Sequence, residues 1–272
     1  MNGYIPLTYL DLVLASVFLL INGALSFSLG LGLERSLFVA AVRMVVQLLM
    51  VGLVLKLVFA AGSLWLTLVV ASTMILFAGR EIWARQERRL TGLWGFGIGA
   101  TAMMCAGTIV AVFGLSFQIQ PDPWWSPRFA LPLFGMILGN TMTGVSLGLD
   151  TLHTTLHRES RAIEAQLLLG RTRFEAIAPF TRVALRSGFM PIINSMAATG
   201  VVSLPGMMTG QILSGVDPTD AVKYQLLIMF LIGGATGLGV LGALLTSVWR
   251  LTDNRHRLRL DRLAPKVEDE KY

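Results

Sequence analysis

Seven long apolar runs constrain the fold of this chain more than any other feature. A helix needs roughly 20 apolar residues to cross about 30 Å of hydrocarbon. Only 14% of the residues are charged, whereas soluble domains are about one-quarter charged. The sequence therefore predicts an all-α, polytopic integral membrane protein with about seven transmembrane helices. The predicted spans are approximately residues 8–32, 36–59, 63–79, 92–117, 129–149, 190–214 and 221–249.

Basic residues are divided unequally between the two sides that this arrangement creates. Of the 22 lysines and arginines, 18 fall in the 1–2, 3–4 and 5–6 loops or after the last span. Because basic loops stay in the cytoplasm, the N-terminus is predicted outside and the C-terminus inside. The positive net charge is therefore accounted for by basic residues in the cytoplasmic loops, and nucleic-acid binding is not expected. Residues 1–255 would form the transmembrane domain and residues 256–272 a cytoplasmic tail, disordered from Lys266 onward.

The cytoplasmic loop at residues 156–188 carries six arginines. Its apolar residues Ile163, Leu167 and Leu168 have the spacing of one helix face. Gly170 follows at the position of a C-terminal cap. The first part of the loop is therefore predicted to be a helix that ends at this glycine.

A second helix is predicted immediately after that glycine. Thr172 and Glu175 have capping-box spacing. Pro179 lacks a backbone donor and clashes with the preceding turn, so this helix is predicted to be short. A short exposed helix at Arg173–Ala178, between two spans, is suited to docking onto a soluble partner.

The sixth predicted span contains Pro205–Gly206 near its middle. Such a break at membrane depth is tolerated only beside protein or a water-filled cavity, and broken helices often mark transport sites. Either a packed, kinked helix or a translocation pathway would explain it. The polar groups available to a pathway are Asn194, Ser203, Thr209 and Gln211, and Met207 and Met208 add sulfur atoms that a soft or borderline metal could contact.

Other spans contain further polar residues. Arg43 and Gln47 share one face of the second span, where the arginine could pair, face the pathway or extend to the interface. Asn140 lies in the fifth span between two glycine pairs, Gly135/Gly139 and Gly144/Gly148. This small-xxx-small spacing predicts a close helix–helix contact.

A nucleotide-binding motif and a metal-binding motif are both absent from the sequence. None of the four lysines ends a GxxxxGK run, so no P-loop can bind ATP here. His153 and His157 are four apart but lack the carboxylate of a zinc motif, which favours an ordinary cytoplasmic helix. No cofactor is therefore expected in this chain, and any ATP and Mg²⁺ would be bound by a partner polypeptide.

Several stretches resemble ABC-transporter permeases. Glu164-Ala165-Gln166, followed three residues later by Gly170, resembles their EAA loop, with glutamine at the third position instead of alanine. GNTMTGVSLGLD, INSMAATGVVSLPGMMTGQILSG, YQLLIMFLI and RMVVQLL are similar to the FetB family of iron-export permeases and to plant aluminium-sensitivity proteins. The match covers nearly the whole chain.

This resemblance implies a transport subunit and not an enzyme. It implies a permease homodimer in the bacterial inner membrane, paired 2:2 with a separate FetA-like ATPase. Iron is the implied cargo for the bacterial branch and a nucleotide sugar for the plant branch. The ATPase-coupling residues would be Glu164, Ala165, Gly170, Arg173, Phe174 and Glu175.

The prediction is therefore an ATP-driven permease that exports iron or another metal and contributes to metal homeostasis. A secondary transporter or channel working alone would instead show inverted internal repeats, which the sequence lacks. A membrane scaffold would leave the broken sixth span unexplained. An ATPase gene beside this one would separate the first class from the other two.

Overall fold

The structure, a computed structural model, describes residues 8–253 and 255–265. All regular elements in these residues are helices. They are α1 (Tyr9–Ser28), α2 (Glu34–Ala61), α3 (Leu64–Ala84), α4 (Leu93–Phe113, continued by a π-helical turn at Gly114–Ile119), α5 (Pro127–Arg158), α6 (Ser160–Leu168), α7 (Arg173–Ala198), α8 (Gly206–Leu213), α9 (Pro218–Arg250) and a 3₁₀ turn (Leu260–Arg262). The tail from Lys266, predicted to be disordered, lies outside the described residues.

Six helices in the described ranges are long and apolar enough to cross a membrane. They are α1, α2, α3, α4 with its π turn, α5 and α9, and they coincide with six of the seven predicted spans. The predicted span 190–214 is instead divided. Residues 199–205 are not helical and separate α7 from α8, which confirms the predicted break near Pro205–Gly206. The total of seven spans and the orientation remain predictions.

The prediction of a short helix that ends near Pro179 is wrong. The helix that begins at Arg173 is α7, and it continues through Pro179 and Pro191 to Ala198. A proline inside a helix costs about 3 kcal/mol. Close packing of α7 against α5 and α9 offsets this cost, since the buried face of α7 faces these two helices. The short helix of this loop is α6, with nine residues.

The helix α5 lies at the centre of the bundle and packs against α3, α4, α7 and α9. Its contact with α7 is closest at Gly144 and Gly188. A Cβ atom at Gly144 would lie 2.8 Å from the carbonyl oxygen of Gly188, and one at Gly188 would lie 2.9 Å from that of Gly144. The predicted close contact is thus confirmed for Gly144, whereas nothing lies within 4 Å of a Cβ at Gly139.

The first two helices form a hairpin that barely contacts the rest of the bundle. Ser26 is the buried residue of α1 and Val58 that of α2, and every other residue of these two fully described helices is at least partly exposed. Contacts between α2 and α5 are sparse. The hairpin therefore has a large apolar surface that only lipid or another protein chain can cover.

Three segments meet at one end of the bundle. Leu90 forms an isolated bridge with Leu263, and the backbone N–H of Ala264 donates to the carbonyl of Arg89 (2.7 Å). His153, at the same end of α5, contacts the carbonyl of Arg88 through Nδ1 (3.0 Å). The 3–4 loop, the end of α5 and the residues after α9 thus lie together, as their placement on one predicted side requires.

Candidate functional site

The turn between α6 and α7 contains the residues that the sequence analysis predicts to contact an ATPase; we name residues 164–175 the coupling turn. Gly170 adopts φ +87°, a conformation that favours glycine, and reverses the chain. Thr172 and Glu175 form the predicted capping box, in which the Thr172 N–H donates to Oε2 of Glu175 (2.9 Å). This bond holds the pKa of Glu175 below its usual range. The local fold of this turn is therefore confirmed.

The coupling turn exposes apolar side chains. Leu168 is 88% exposed, Leu169 84% and Phe174 52%. Ile163 is fully buried, so the apolar residues of α6 do not all share one buried face. Glu164 and Ala165, from the EAA-like stretch, are exposed on the same short helix. An apolar group of this kind with polar residues around it marks a protein-contact surface.

Residues after α9 hold the coupling turn against the bundle. The Arg173 N–H donates to Nδ1 of His256 (3.1 Å), and its guanidinium Nη1 donates to the carbonyl of Asp253 (2.8 Å). Hydrogen bonds from the backbone and side chain of Arg257, together with its charge, lower the pKa of Asp253. The start of α7 is therefore fixed relative to the end of α9.

A cleft of about 1210 Å³ lies between α2, α3 and α5. One part of it is charged: Arg43 forms an ion pair with Glu81, and Arg85 Nε lies 3.7 Å from the same carboxylate. The predicted residues Arg43 and Gln47 both line this cleft, and the ion pair accounts for an arginine inside the second span. Four methionines add sulfur to its otherwise largely apolar wall: Met44, Met50, Met74 and Met142.

The other predicted pathway residues lie elsewhere. Asn194 and Ser203 are exposed, while Pro205, Met207, Met208, Thr209 and Gln211 are half-buried on or beside α8, which packs against α9. The Oε1 atom of Gln211 is buried and has no hydrogen-bond partner within the described ranges. Asn140 is exposed one turn from Gly144, and its side chain donates to the Met136 carbonyl (2.8 Å). Of the predicted pathway residues, Arg43 and Gln47 therefore line the cleft, whereas Asn140 and the residues on and beside α7 and α8 do not.

The sequence reasoning missed Glu81 and the four cleft methionines. Glu81 lies beyond the predicted end of the third span, but α3 continues to Ala84 and carries it into the bundle. Its spacing of four residues from Arg85 was a signal that could have identified a charged cluster. His153, by contrast, is buried, and its Nε2 contacts Oγ of Ser247 (2.7 Å), which supports an ordinary structural role. No group of three or more His, Cys, Asp or Glu residues that could hold a metal ion occurs in the part of the chain described.

We expect Glu81→Gln to destabilise the protein more than the double change Arg43→Met with Glu81→Leu. The single change leaves two guanidinium groups facing each other without their carboxylate. The expected loss is roughly 1–2 kcal/mol, below that for a fully buried pair, because the Arg43 side chain is 45% exposed. Thermal unfolding of both variants in one detergent measures the difference. Equal losses would show that leaving Arg43 without its carboxylate carries no extra cost.

Comparisons with known proteins agree with the transport motifs. A sequence model for UPF0014, described as an uncharacterised protein family, matches residues 9–251. A UPF0014 membrane protein of Synechocystis is 38% identical over 84% of this chain and 87% of its own length. The probable iron export permease protein FetB of Escherichia coli is 32% identical over 98% of this chain and its full length. Protein ALUMINUM SENSITIVE 3 of Arabidopsis thaliana is 30% identical over 82% of this chain and 80% of its own length. No solved structure matches.

Proposed function

This chain belongs to the UPF0014 family, and from that premise we propose that it is the permease subunit of an ABC transporter that exports a metal, with iron as the first candidate. The resemblance to FetB and to the plant aluminium-sensitivity proteins is confirmed. The protein is a multi-pass membrane protein of a family whose relatives include a probable permease.

The exposed apolar group on the coupling turn carries the proposal. Leu168, Leu169 and Phe174 project at the basic end of the bundle, where a cytosolic ATPase would dock. A capped turn with a fixed glycine geometry suits insertion into a cleft on that partner, because little conformational entropy is lost on binding. ATP and Mg²⁺ would be held by the ATPase subunit.

The placement in the membrane follows from the distribution of charge. The segments that meet at one end of the bundle carry most of the arginines, which supports a cytoplasmic location for that end. We place the protein in the bacterial inner membrane, with its N-terminus outside. A permease homodimer would cover part of the apolar surface of the α1–α2 hairpin, and the bilayer would cover the rest.

The cleft between α2, α3 and α5 is the best-supported place for cargo within the permease. It brings together Arg43, Gln47 and Glu81 beside methionine sulfur atoms, which bind soft or borderline metals weakly enough to release them. The broken segment before α8 remains a second part of the proposed path, with Met207 and Met208 available to contact the metal. A larger organic anion, such as a nucleotide sugar, is the alternative cargo, and the volume of the cleft favours it over a bare ion.

Transport in inside-out vesicles tests the proposal. The chain would be co-expressed with a FetA-like ATPase, and ATP-dependent uptake of radioactive iron would be measured. We expect uptake that requires both chains and disappears when the P-loop lysine of the ATPase is replaced. Iron uptake by this chain alone would contradict the ABC assignment. ATP hydrolysis that is stimulated by UDP-glucose and not by iron would show that the cargo is a nucleotide sugar instead of iron.

A further inference from the structure

A second, smaller pocket lies at the end of α9, away from the cleft. It has a volume of about 230 Å³ and is lined by Arg173, Trp249, Arg250, Thr252, Asp253 and Arg262; we name it the arginine pocket. It joins the start of α7 to the end of α9 and to the segment that follows. None of the transport roles proposed above uses it as a binding site.

The charges in the arginine pocket are unbalanced. Three arginines and one aspartate line it, and the Asp253 carboxylate already accepts hydrogen bonds from Nε and the backbone N–H of Arg257 (both 2.9 Å). Arg262 donates to the carbonyl of Arg250 (2.6 Å), which is a neutral partner. In the described ranges, no carboxylate lies within 4.0 Å of the Arg250 or Arg262 guanidinium. Desolvation and the neighbouring charges of Arg250 and Arg259 lower the pKa of Arg262.

The pocket opens at the depth expected for lipid headgroups. The guanidinium of Arg250 lies 4.8 Å from the ring centroid of Trp94, and the Trp94 and Trp249 ring centroids are 6.5 Å apart. These indoles are 43% and 54% exposed, and exposed tryptophans at the ends of spans lie at the membrane–water interface. The mouth of the pocket is therefore placed at an interface and not in open solvent.

An apolar stripe leads from the pocket into the membrane. Leu238, Leu241, Leu245 and Trp249 are all exposed and follow one face of α9 at helical spacing. A phospholipid whose acyl chains packed along this stripe would have its phosphate group among the arginines. A free phosphate ion would use the arginines but not the stripe.

We propose that the arginine pocket binds the phosphate of an anionic phospholipid, with its acyl chains along the exposed face of α9. Basic pockets at the cytoplasmic ends of transmembrane helices recognise such headgroups. The bound headgroup neutralises the excess positive charge and connects α9 to Arg173 in the coupling turn. Lipid binding at this point needs no ATPase, so it stands apart from the transport proposal.

Binding of dioctanoyl phosphatidylglycerol to the purified full-length protein in detergent tests this inference. Native mass spectrometry would count the bound lipid and give its affinity. The variant Arg250→Gln with Arg262→Gln is expected to bind the lipid at least about tenfold more weakly, because each substitution removes a charge-assisted hydrogen bond to the phosphate. Arg158→Gln with Arg161→Gln removes the same charge at the same end and is expected to bind within about twofold of the unchanged protein.

Three further arms make the result decisive. Arg250→Lys with Arg262→Lys keeps the charge and should retain most of the binding, which separates loss of phosphate contact from loss of fold. Dioctanoyl phosphatidylcholine should bind more weakly, and millimolar inorganic phosphate should not displace phosphatidylglycerol. Full displacement by inorganic phosphate would overturn the lipid assignment. Equal losses in the pocket and control variants, or in the Gln and Lys variants, would overturn the site.

Discussion

Replacing Leu168 and Leu169 by serine is expected to abolish stable binding of the ATPase subunit while the membrane bundle stays folded. Both side chains are more than four-fifths exposed, so their removal leaves no cavity. Burying each leucine in the ATPase cleft would contribute about 1.5–3 kcal/mol. Loss of both corresponds to a fall in affinity of at least about a hundredfold. Co-purification with the ATPase and ATP-driven transport are the two measurements.

The matched control for this experiment is Leu93→Ser. Leu93 is 89% exposed at the start of α4, and it lies at the same end of the bundle but outside the coupling turn. We expect this variant to retain both ATPase binding and transport. Gly170→Leu, which forces a bulky residue to φ +87°, should uncouple hydrolysis from transport. If the paired serine variant and Leu93→Ser behave alike, the docking surface is elsewhere.

The second large effect is expected at the α5–α7 contact. Gly144→Ala places a methyl group 2.8 Å from both the Gly188 carbonyl oxygen and Cγ2 of Thr236. The first of these atoms belongs to the backbone, so it cannot move away without separating the helices. The cost of overpacking is about 1–3 kcal/mol or more. A fall of roughly 2–12 °C in the thermal unfolding midpoint is expected in detergent.

Gly139→Ala, on the same helix, is the control for this change. A Cβ at Gly139 has nothing within 4 Å, and alanine also has the higher helix propensity. This variant should be as stable as the unchanged protein or slightly more so. Equal destabilisation by the two alanines would mean that α5 and α7 do not approach closely at Gly144.

The parts of the fold that local chemistry determines were predictable from the sequence. Apolar length identified six helices, and Gly170 with the Thr172–Glu175 box identified the coupling turn. The continuation of α7 through Pro179 was not predictable, because the packing that offsets the proline comes from α5 and α9, far away in the chain. The exposed Leu168 and the pairing of Arg43 with Glu81 likewise depend on which helices become neighbours. Hydrophobic pattern alone does not specify those neighbours.

The unbroken course of α7 connects the coupling turn at one end of this helix to the non-helical residues 199–205 at its other end. Its 26 residues, Arg173–Ala198, span about 38 Å at 1.5 Å per residue. A displacement of the coupling turn would therefore be carried along one continuous helix, past the close contact of Gly188 with Gly144 of α5, to residues 199–205. A short helix that ended near Pro179 would instead have placed a non-helical linker between the coupling turn and residues 199–205. Pro179 and Pro191 each lack the N–H of a helical hydrogen bond, but neither interrupts this helix.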